Sequence, residues 1–530
     1  MIKFRKYIVR KYTVRKYANG KMVKVITTLA INGIEGIPIS VEASRFPSPF
    51  PRVVLIGLPD TAVKEALERV HTAARSSSVP LITGSVTVNL APADVKKEGS
   101  SFDLPILLSM IDEIKTGEID TSRRAFAGEL SLTGGVRPIN GALSMAIAAR
   151  DAGYREIYLP AENAAEASAA DGIDVFPVKD VSGLFAHLKG EKPIDKVIFS
   201  TETFLKASVE HILDYSDVKG QETAKKAIEI AAAGGHNILL IGPPGSGKSM
   251  LASRLPSILP PLTLKEAIET TKIHSVAGAL GQGVSLVKTR PFRSPHHTMS
   301  PASLAGGGKN PKPGEISLSH NGVLFLDEFP EFDKSSSEIL RQPLEDRTIH
   351  ITRVSGSVAY PASFMLVCAM NPCRCGYYGH PTKPCVCSES TRRAYMSRVS
   401  GPLIDRIDIQ VEVKSLAYED VSCFKPAESS AAIRERIIKA KDFAALRFNS
   451  REMSNALMIP ALIKQHCVLD DDGDLLMKKA YVSQSLSARS YDRILKVART
   501  AADFDCSETI KKRHVALALQ LRAVDKKYFS

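Results

Sequence analysis

Four apolar residues, Ile238-Leu-Leu-Ile241, run straight into Gly242-Pro-Pro-Gly-Ser-Gly247-Lys248-Ser249. This string leaves little choice of fold. A short run that is apolar on every side calls for a strand buried on both faces, and the glycine-rich loop behind it must turn the chain into a helix. In such a P-loop, Gly242, Pro243, Pro244, Gly245, Ser246 and Gly247 let backbone N–H groups turn toward phosphates. Lys248 then reaches the β and γ phosphates, and the Ser249 hydroxyl is placed for Mg²⁺. A nucleoside triphosphate is the expected ligand. Gly322-Val-Leu-Phe-Leu-Asp327-Glu328 is a second apolar run, ending in two carboxylates: Asp327 as a Mg²⁺ ligand and Glu328 as the base that orients attacking water. A third, Phe364-Met-Leu-Val-Cys-Ala-Met370, ends at Asn371, whose amide can reach the γ-phosphate, although Asn before Pro is equally a turn opener.

At 530 residues the chain exceeds what one core can hold. No apolar stretch approaches the ~18 residues that a membrane span needs, and no secretory pattern opens the chain, so no membrane association and a cytoplasmic location are expected. Of the net charge of +13, eight positive charges fall in residues 1–21, which hold no acid and repeat Arg-Lys-Tyr at Arg5, Arg10 and Arg15. Residues 1–21 read as a disordered basic extension, or as sequence upstream of a start at Met22, with a nucleic-acid arm as the alternative. Strand signals in 23–55, a helix over Asp60–Ser76, strands over Gly84–Leu90 and Arg155–Leu159 and an alanine-rich helix over Ala142–Ala152 outline a first domain, 22–190. A linker at 191–207 precedes an α/β core at 208–417, which opens with a helix over Gln221–Ala233. From Tyr418 onward helical patterns dominate, at Ala431–Phe448, Asp474–Val482 and Ser487–Phe504, and 418–530 reads as a helical lid.

About eighty residues separate the P-loop from Asp327, including Leu304-Ala-Gly-Gly-Gly308, and inserts of that length usually carry function. Thr348–Val354 and Ser357–Tyr360 read as a hairpin turning at Ser355-Gly356. Arg347, Arg353 and Lys309 are candidates for gripping nucleic-acid phosphates, with solvated charge as the alternative. His296 and His297 are adjacent, so their side chains are expected to point apart and pack in a loop rather than bind metal. Cys373-x-Cys375 and Cys385-x-Cys387 form a candidate structural zinc site; reduced buried thiols and a redox switch are the alternatives. Cys368, Cys423, Cys467 and Cys506 read as scattered core residues. Arg406, Arg489 and Arg493 lie beyond the core strands, where spacing alone does not separate a catalytic arginine from a surface ion pair.

Taken in order, the P-loop, the long insertion, Leu326-Asp327-Glu328, Asn371-Pro372, Gly401-Pro-Leu-Ile-Asp-Arg406-Ile-Asp and Ser487-Ala-Arg489 resemble the AAA+ ATPases of the magnesium-chelatase-like group, and in particular the YifB/ComM family. The resemblance runs from Met22 to the C-terminus through Val88-Asn-Leu-Ala-Pro-Ala-Asp94, Arg290-Pro-Phe-Arg-Ser-Pro-His-His297, Pro313-Gly-Glu-Ile-Ser-Leu and Asn371-Pro-Cys-Arg-Cys-Gly. It implies an ATP- and Mg²⁺-dependent hydrolase with Asn371 as sensor 1, Arg406 as an arginine finger acting on a neighbouring subunit, Arg489 as the sensor-2 arginine in cis, and Asp217-Val-Lys-Gly220-Gln221 against adenine. It also implies a hexameric ring whose inserts face a central pore, and single-stranded or branched DNA as partner, in branch migration during recombination or natural transformation. A chelatase-type or chaperone-like ATPase that remodels a protein is the alternative. Lys97-Glu-Gly-Ser-Ser101-Phe-Asp103 and Gly128-Glu-Leu-Ser-Leu-Thr-Gly-Gly-Val-Arg-Pro-Ile-Asn-Gly141 are similar to the proteolytic domain of Lon. Ser101 falls at the nucleophile, but the partner-lysine position holds Ser144, so no base is evident and the domain is expected to be a scaffold. The expected class is therefore α/β: a Lon-protease-like α+β N-terminal domain, an AAA+ P-loop core with pore-facing inserts and a C-terminal helical lid.

Overall fold

The computed structural model describes residues 25–46, 48, 52–206, 213–281, 283–308, 311–353, 356–415, 427–524 and 528. The basic extension, Lys309, Ser355, Tyr418 and Cys423 lie outside them. The chain divides into one unit of Met1–Lys206 with Ala267–Val287 and another of Ala207–Glu266 with Lys288–Ser530.

The first unit is built on seven strands: β1 (Val25–Asn32), β2 (Glu35–Phe46), β3 (Val53–Ile56), β4 (Ser85–Ala91), β5 (Arg124–Phe126), β6 (Glu156–Pro160) and β7 (Asp174–Val178). They lie in the order β3-β4-β2-β1-β5-β6-β7, antiparallel where β1, β2 and β4 meet and parallel elsewhere. Alternation along β4 sends Val86, Val88 and Leu90 into the core. The helix Thr61–Ser76 starts where Asp60 Oδ1 accepts from the Val63 amide at 2.8 Å, and it buries Val63, Ala66, Val70 and Ala73 along one stripe. Asp103, from the Lon-like string, is fully buried. It accepts a two-pronged contact from Arg69 at 2.7 and 3.0 Å and the Leu130 amide at 3.1 Å, which makes it an anchor between elements. The Ser144 hydroxyl donates to the Ile34 carbonyl at 2.7 Å, so the position of the missing base holds a satisfied hydroxyl. Ala267–Val287, drawn from between the P-loop and Asp327, is tied into this unit by Lys272 on Glu35 at 2.8 Å and by the Gly141 amide on Ser275 Oγ at 2.9 Å.

The second unit contains five parallel strands: β8 (Ile238–Ile241), β9 (Phe292–Arg293), β10 (Val323–Leu326), β11 (Met365–Met370) and β12 (Ile409–Glu412), in the order β9-β10-β11-β8-β12. Every residue of β8, β10 and β11 is buried, as continuous apolar runs covered on both faces require. Helices Ser430–Phe448, Asp471–Ser483 and Ala488–Phe504 follow. Among them Asp503, 2% exposed, accepts from Arg447 at 2.8 Å, Arg499 at 3.0 Å and Asn455 at 2.7 Å. Thr500, in the same helix, bonds His236 at 2.8 Å, and the other nitrogen of that ring lies 3.3 Å from Asp408. Burial disfavours the charged form of Asp408, yet the His236 bond, Arg493 and Lys496 outweigh it and hold its carboxyl well below the usual range. No helix among the described residues is long and apolar enough to cross a membrane.

Candidate active site

Parallel strands deliver whatever follows them to one edge of the sheet, and the crevice there is where α/β folds bind ligands. The P-loop follows β8, Asp327-Glu328 follow β10 and Asn371 follows β11. Gly245 and Gly247 adopt φ of +74° and +92°, and a Cβ on either would meet nothing within 4 Å, which leaves the mouth of the loop open. The buried Ser246 hydroxyl has no hydrogen-bond partner among the described residues. An open glycine cradle with an orphaned polar atom fits a phosphate chain.

Lys248 folds over this loop. Its ammonium donates to the carbonyls of Gly242 and Pro243 at 2.8 and 2.9 Å and to Asn371 Oδ1 at 3.2 Å. Burial pushes its pKa down to about 8, opposed by Asp327 and Glu328. The Ser249 hydroxyl donates to Asp327 Oδ2 at 2.6 Å, so two oxygens suited to a hard cation already touch. Glu328 sits at φ +51° directly after Asp327, with its side chain 57% exposed and its Oε2 3.4 Å from His297 Nδ1. The side chains of the histidine pair do not point apart as expected: the rings of His296 and His297 lie 4.1 Å from each other.

Gln221, at φ +61°, donates from one amide nitrogen to the carbonyls of Ser246 at 3.1 Å and Lys414 at 2.6 Å, which brings the segment expected near adenine against the P-loop. Asp217 in that segment is paired with Arg254 at 2.9 Å. Arg489 is exposed in the first turn of Ala488–Phe504, a helix end that disfavours a cation unless an anion approaches. Arg406 is not gathered with the other residues. Its carbonyl accepts from Asn237 Nδ2 at 3.0 Å at the entry of β8, and Ile409 donates back to the Asn237 carbonyl at 3.0 Å. The P-loop leaves from the other end of that four-residue strand, roughly 13 Å away at the rise of a strand. The Arg406 guanidinium turns to the Pro402 carbonyl at 2.6 Å and to the Glu345 carboxylate.

The insert and the hairpin pack as one body. Thr348–Arg353 pairs with Gly356–Pro361, Tyr360 donates to the Pro311 carbonyl at 2.7 Å, and a Cβ on Gly306 would meet Ile351 Cδ1 at 2.8 Å. His350, Thr352 and Arg353 stay exposed, as does Lys312. Arg347 departs from its expected role as a phosphate grip: it lies at the hairpin base, bonded to the Phe364 carbonyl at 3.1 Å, and burial pushes its pKa below the ordinary arginine value.

The sulfurs of Cys373, Cys375, Cys385 and Cys387 all lie within 4.8 Å of one another, with separations of 3.4, 3.7 and 3.6 Å among the first three. Four thiolates at a Zn–S distance of about 2.3 Å would stand about 3.8 Å apart at the corners of a tetrahedron, so the set fits a tetrathiolate metal site. Cys368 and Cys467 are buried, but Cys506 is exposed and so is not the core residue expected.

Three family models match the chain: "Magnesium chelatase, subunit ChlI" over residues 214–421, "Subunit ChlI of Mg-chelatase" over 41–163, and "Magnesium chelatase, subunit ChlI C-terminal" over 427–522. The chain is 38% identical to YifB of Escherichia coli strain K12 over 508 residues, which is 95% of this chain and 98% of that protein. It is 38% identical over 509 residues to the competence protein ComM of Haemophilus influenzae, covering 94% and 97%. Lon protease 4 of Sorangium cellulosum is 28% identical over 185 residues, 32% of this chain and 23% of that protein. Because a ChlI model matches 41–163, the N-terminal domain does not distinguish a DNA load from a chelatase load.

Proposed function

The chain belongs to the YifB/ComM family of magnesium-chelatase-like AAA+ proteins, and on that premise we propose that it is a cytoplasmic ATP-hydrolysing motor that assembles into a hexameric ring and translocates on single-stranded or branched DNA, driving branch migration in recombination or transformation. Lys248 and the P-loop amides hold the phosphates, Ser249 and Asp327 hold Mg²⁺, Glu328 orients the attacking water and Asn371 senses the γ-phosphate. Arg489 contributes in cis, and the cysteine cluster holds a structural zinc.

The position of Arg406 carries this reading. An arginine at the far end of the strand from its own P-loop is of no use to that loop, which supports a site shared across a ring once Arg406 leaves its pairing with Glu345. Support for DNA comes from the competence relative and from exposed Arg353 and Lys312 on the hairpin body. The chelatase models support a second reading, ATP-driven remodelling of a protein partner.

ATP hydrolysis measured with and without forked DNA separates the two. The motor reading expects stimulation, DNA binding that weakens with salt, and a salt slope reduced by about 1 in Arg353→Ala. Absence of both stimulation and salt-sensitive binding would exclude DNA as the load and leave the protein-remodelling reading.

A further inference from the structure

The cysteine cluster lies against the phosphate-binding loop. Cys373 follows Asn371 by two residues, so the same strand that presents Asn371 to Lys248 leads directly into the first thiolate. Gly376, at φ +85° inside the cysteine loop, sits on the P-loop itself: a Cβ there would come within 2.5 Å of Pro244 Cδ and 2.7 Å of Pro244 Cγ. A second contact reaches the same loop by another route. His380 Nε2 lies 3.0 Å from Ser415 Oγ, next to Lys414, whose carbonyl shares the Gln221 amide with P-loop Ser246. The far side of the loop is closed as well, since a Cβ on Gly242 would meet the Val413 carbonyl at 2.2 Å. The P-loop is thus held between the Val413–Ser415 segment and a cysteine loop of some fifteen residues that has almost no apolar core: of Cys373 to Cys387 only Cys373 and Gly376 are buried. A loop of that composition keeps a fixed shape only when something ties it together.

We propose that Cys373, Cys375, Cys385 and Cys387 bind one zinc ion, and that this metal-tied loop buttresses the P-loop through Gly376 and Pro244, so that metal loading sets affinity for ATP. The coupling rests on the ATP-binding reading above; the metal site does not. Zinc bound to four thiolates releases the protons they carried and changes no oxidation state.

The test uses the purified full chain, with metal analysis for zinc and titration with a fluorescent ATP analogue for affinity. Wild type is expected to hold one zinc per chain. Cys385→Ser with Cys387→Ser should lose the zinc and weaken the analogue roughly tenfold, about 1.4 kcal/mol. Gly376→Ala should keep the zinc and still weaken the analogue, because its Cβ displaces Pro244. Cys506→Ser, outside the cluster, should change neither. Wild type without zinc, and without the thiolate-to-metal absorption that cobalt would give in the same site, overturns the metal site. Full zinc in wild type, with affinities of the cysteine variant and Gly376→Ala within about twofold of it, overturns the coupling. If the cysteine variant fails to fold, Gly376→Ala and chelator-stripped wild type decide in its place. A wild type that holds zinc but binds no ATP analogue overturns the nucleotide reading and the coupling together, and leaves the metal site standing.

Discussion

The Lys248 ammonium offers a quantitative test of the phosphate site. It is buried against two loop carbonyls and an amide oxygen, and burial outweighs the pull of Asp327 and Glu328 to bring its pKa down to about 8. A bound triphosphate adds negative charge in direct contact with the ammonium and returns the pKa toward its ordinary value. The free protein therefore loses this proton near pH 8 while the complex keeps it, and affinity must fall as pH rises. About 0.9 of the free lysine is charged at pH 7 and about 0.1 at pH 9, so the dissociation constant should rise roughly ninefold across that window, about 1.3 kcal/mol. Stability moves the other way. The folded pKa lies below the unfolded one, so the charged burial destabilises the nucleotide-free fold below pH 8, and this is relieved as pH rises from about 8 toward 10.5. Equilibrium titration with a fluorescent ATP analogue at pH 7, 8 and 9 measures the first effect, with Lys248→Ala as a weak, pH-independent control. A wild-type affinity that is flat over this range refutes the placement of Lys248 as the phosphate-binding cation.

Three further outcomes follow from the geometry. Glu328→Gln should bind ATP and assemble but turn over about 10²–10⁴-fold more slowly, and normal turnover would remove Glu328 as the base. Arg406→Ala should lose about 10³-fold or more in hydrolysis and regain activity when mixed with Lys248→Ala chains, which keep their arginine; no recovery in the mixture contradicts a shared site. Asp503→Ala leaves Arg447 and Arg499 facing each other without their carboxylate, and should cost roughly 3–5 kcal/mol, read as a lower midpoint of thermal unfolding; an unchanged midpoint shows that the lid helices do not depend on it.

Strands and loops whose cause is local could be read from the sequence. The apolar runs before Gly242, Asp327 and Asn371 become β8, β10 and β11, and the two expected hairpin strands pair, although Gly356, expected in the turn, is a strand residue opposite Arg353. Helix ends were less accessible. The helix expected over Asp474–Val482 starts at Asp471, because Asp470 caps the Gly473 amide at 2.7 Å and a glycine near the start hides the pattern. Helices Pro460–His466 and Lys512–Gln520 are too short for a clear stripe. What the sequence could not show were contacts between residues far apart in the chain. Gly376 on Pro244, His297 beside Glu328 and Asn237 holding Arg406 each join segments with no shared periodicity. Arg347 looks like any hairpin-end arginine until the Phe364 carbonyl is seen beside it.

The separation of Arg406 from its own P-loop has a consequence for when the protein is active. If Arg406 is the stimulating cation proposed above, a chain that holds it at the opposite end of the strand from its phosphate loop cannot complete its own reaction by side-chain rotation. Its hydrolysis per chain should therefore rise steeply with protein concentration and vanish on dilution. Under the proposed role of Arg406, dispersed subunits would consume little ATP without any separate inhibitor, and meeting a neighbour would be the event that switches each one on.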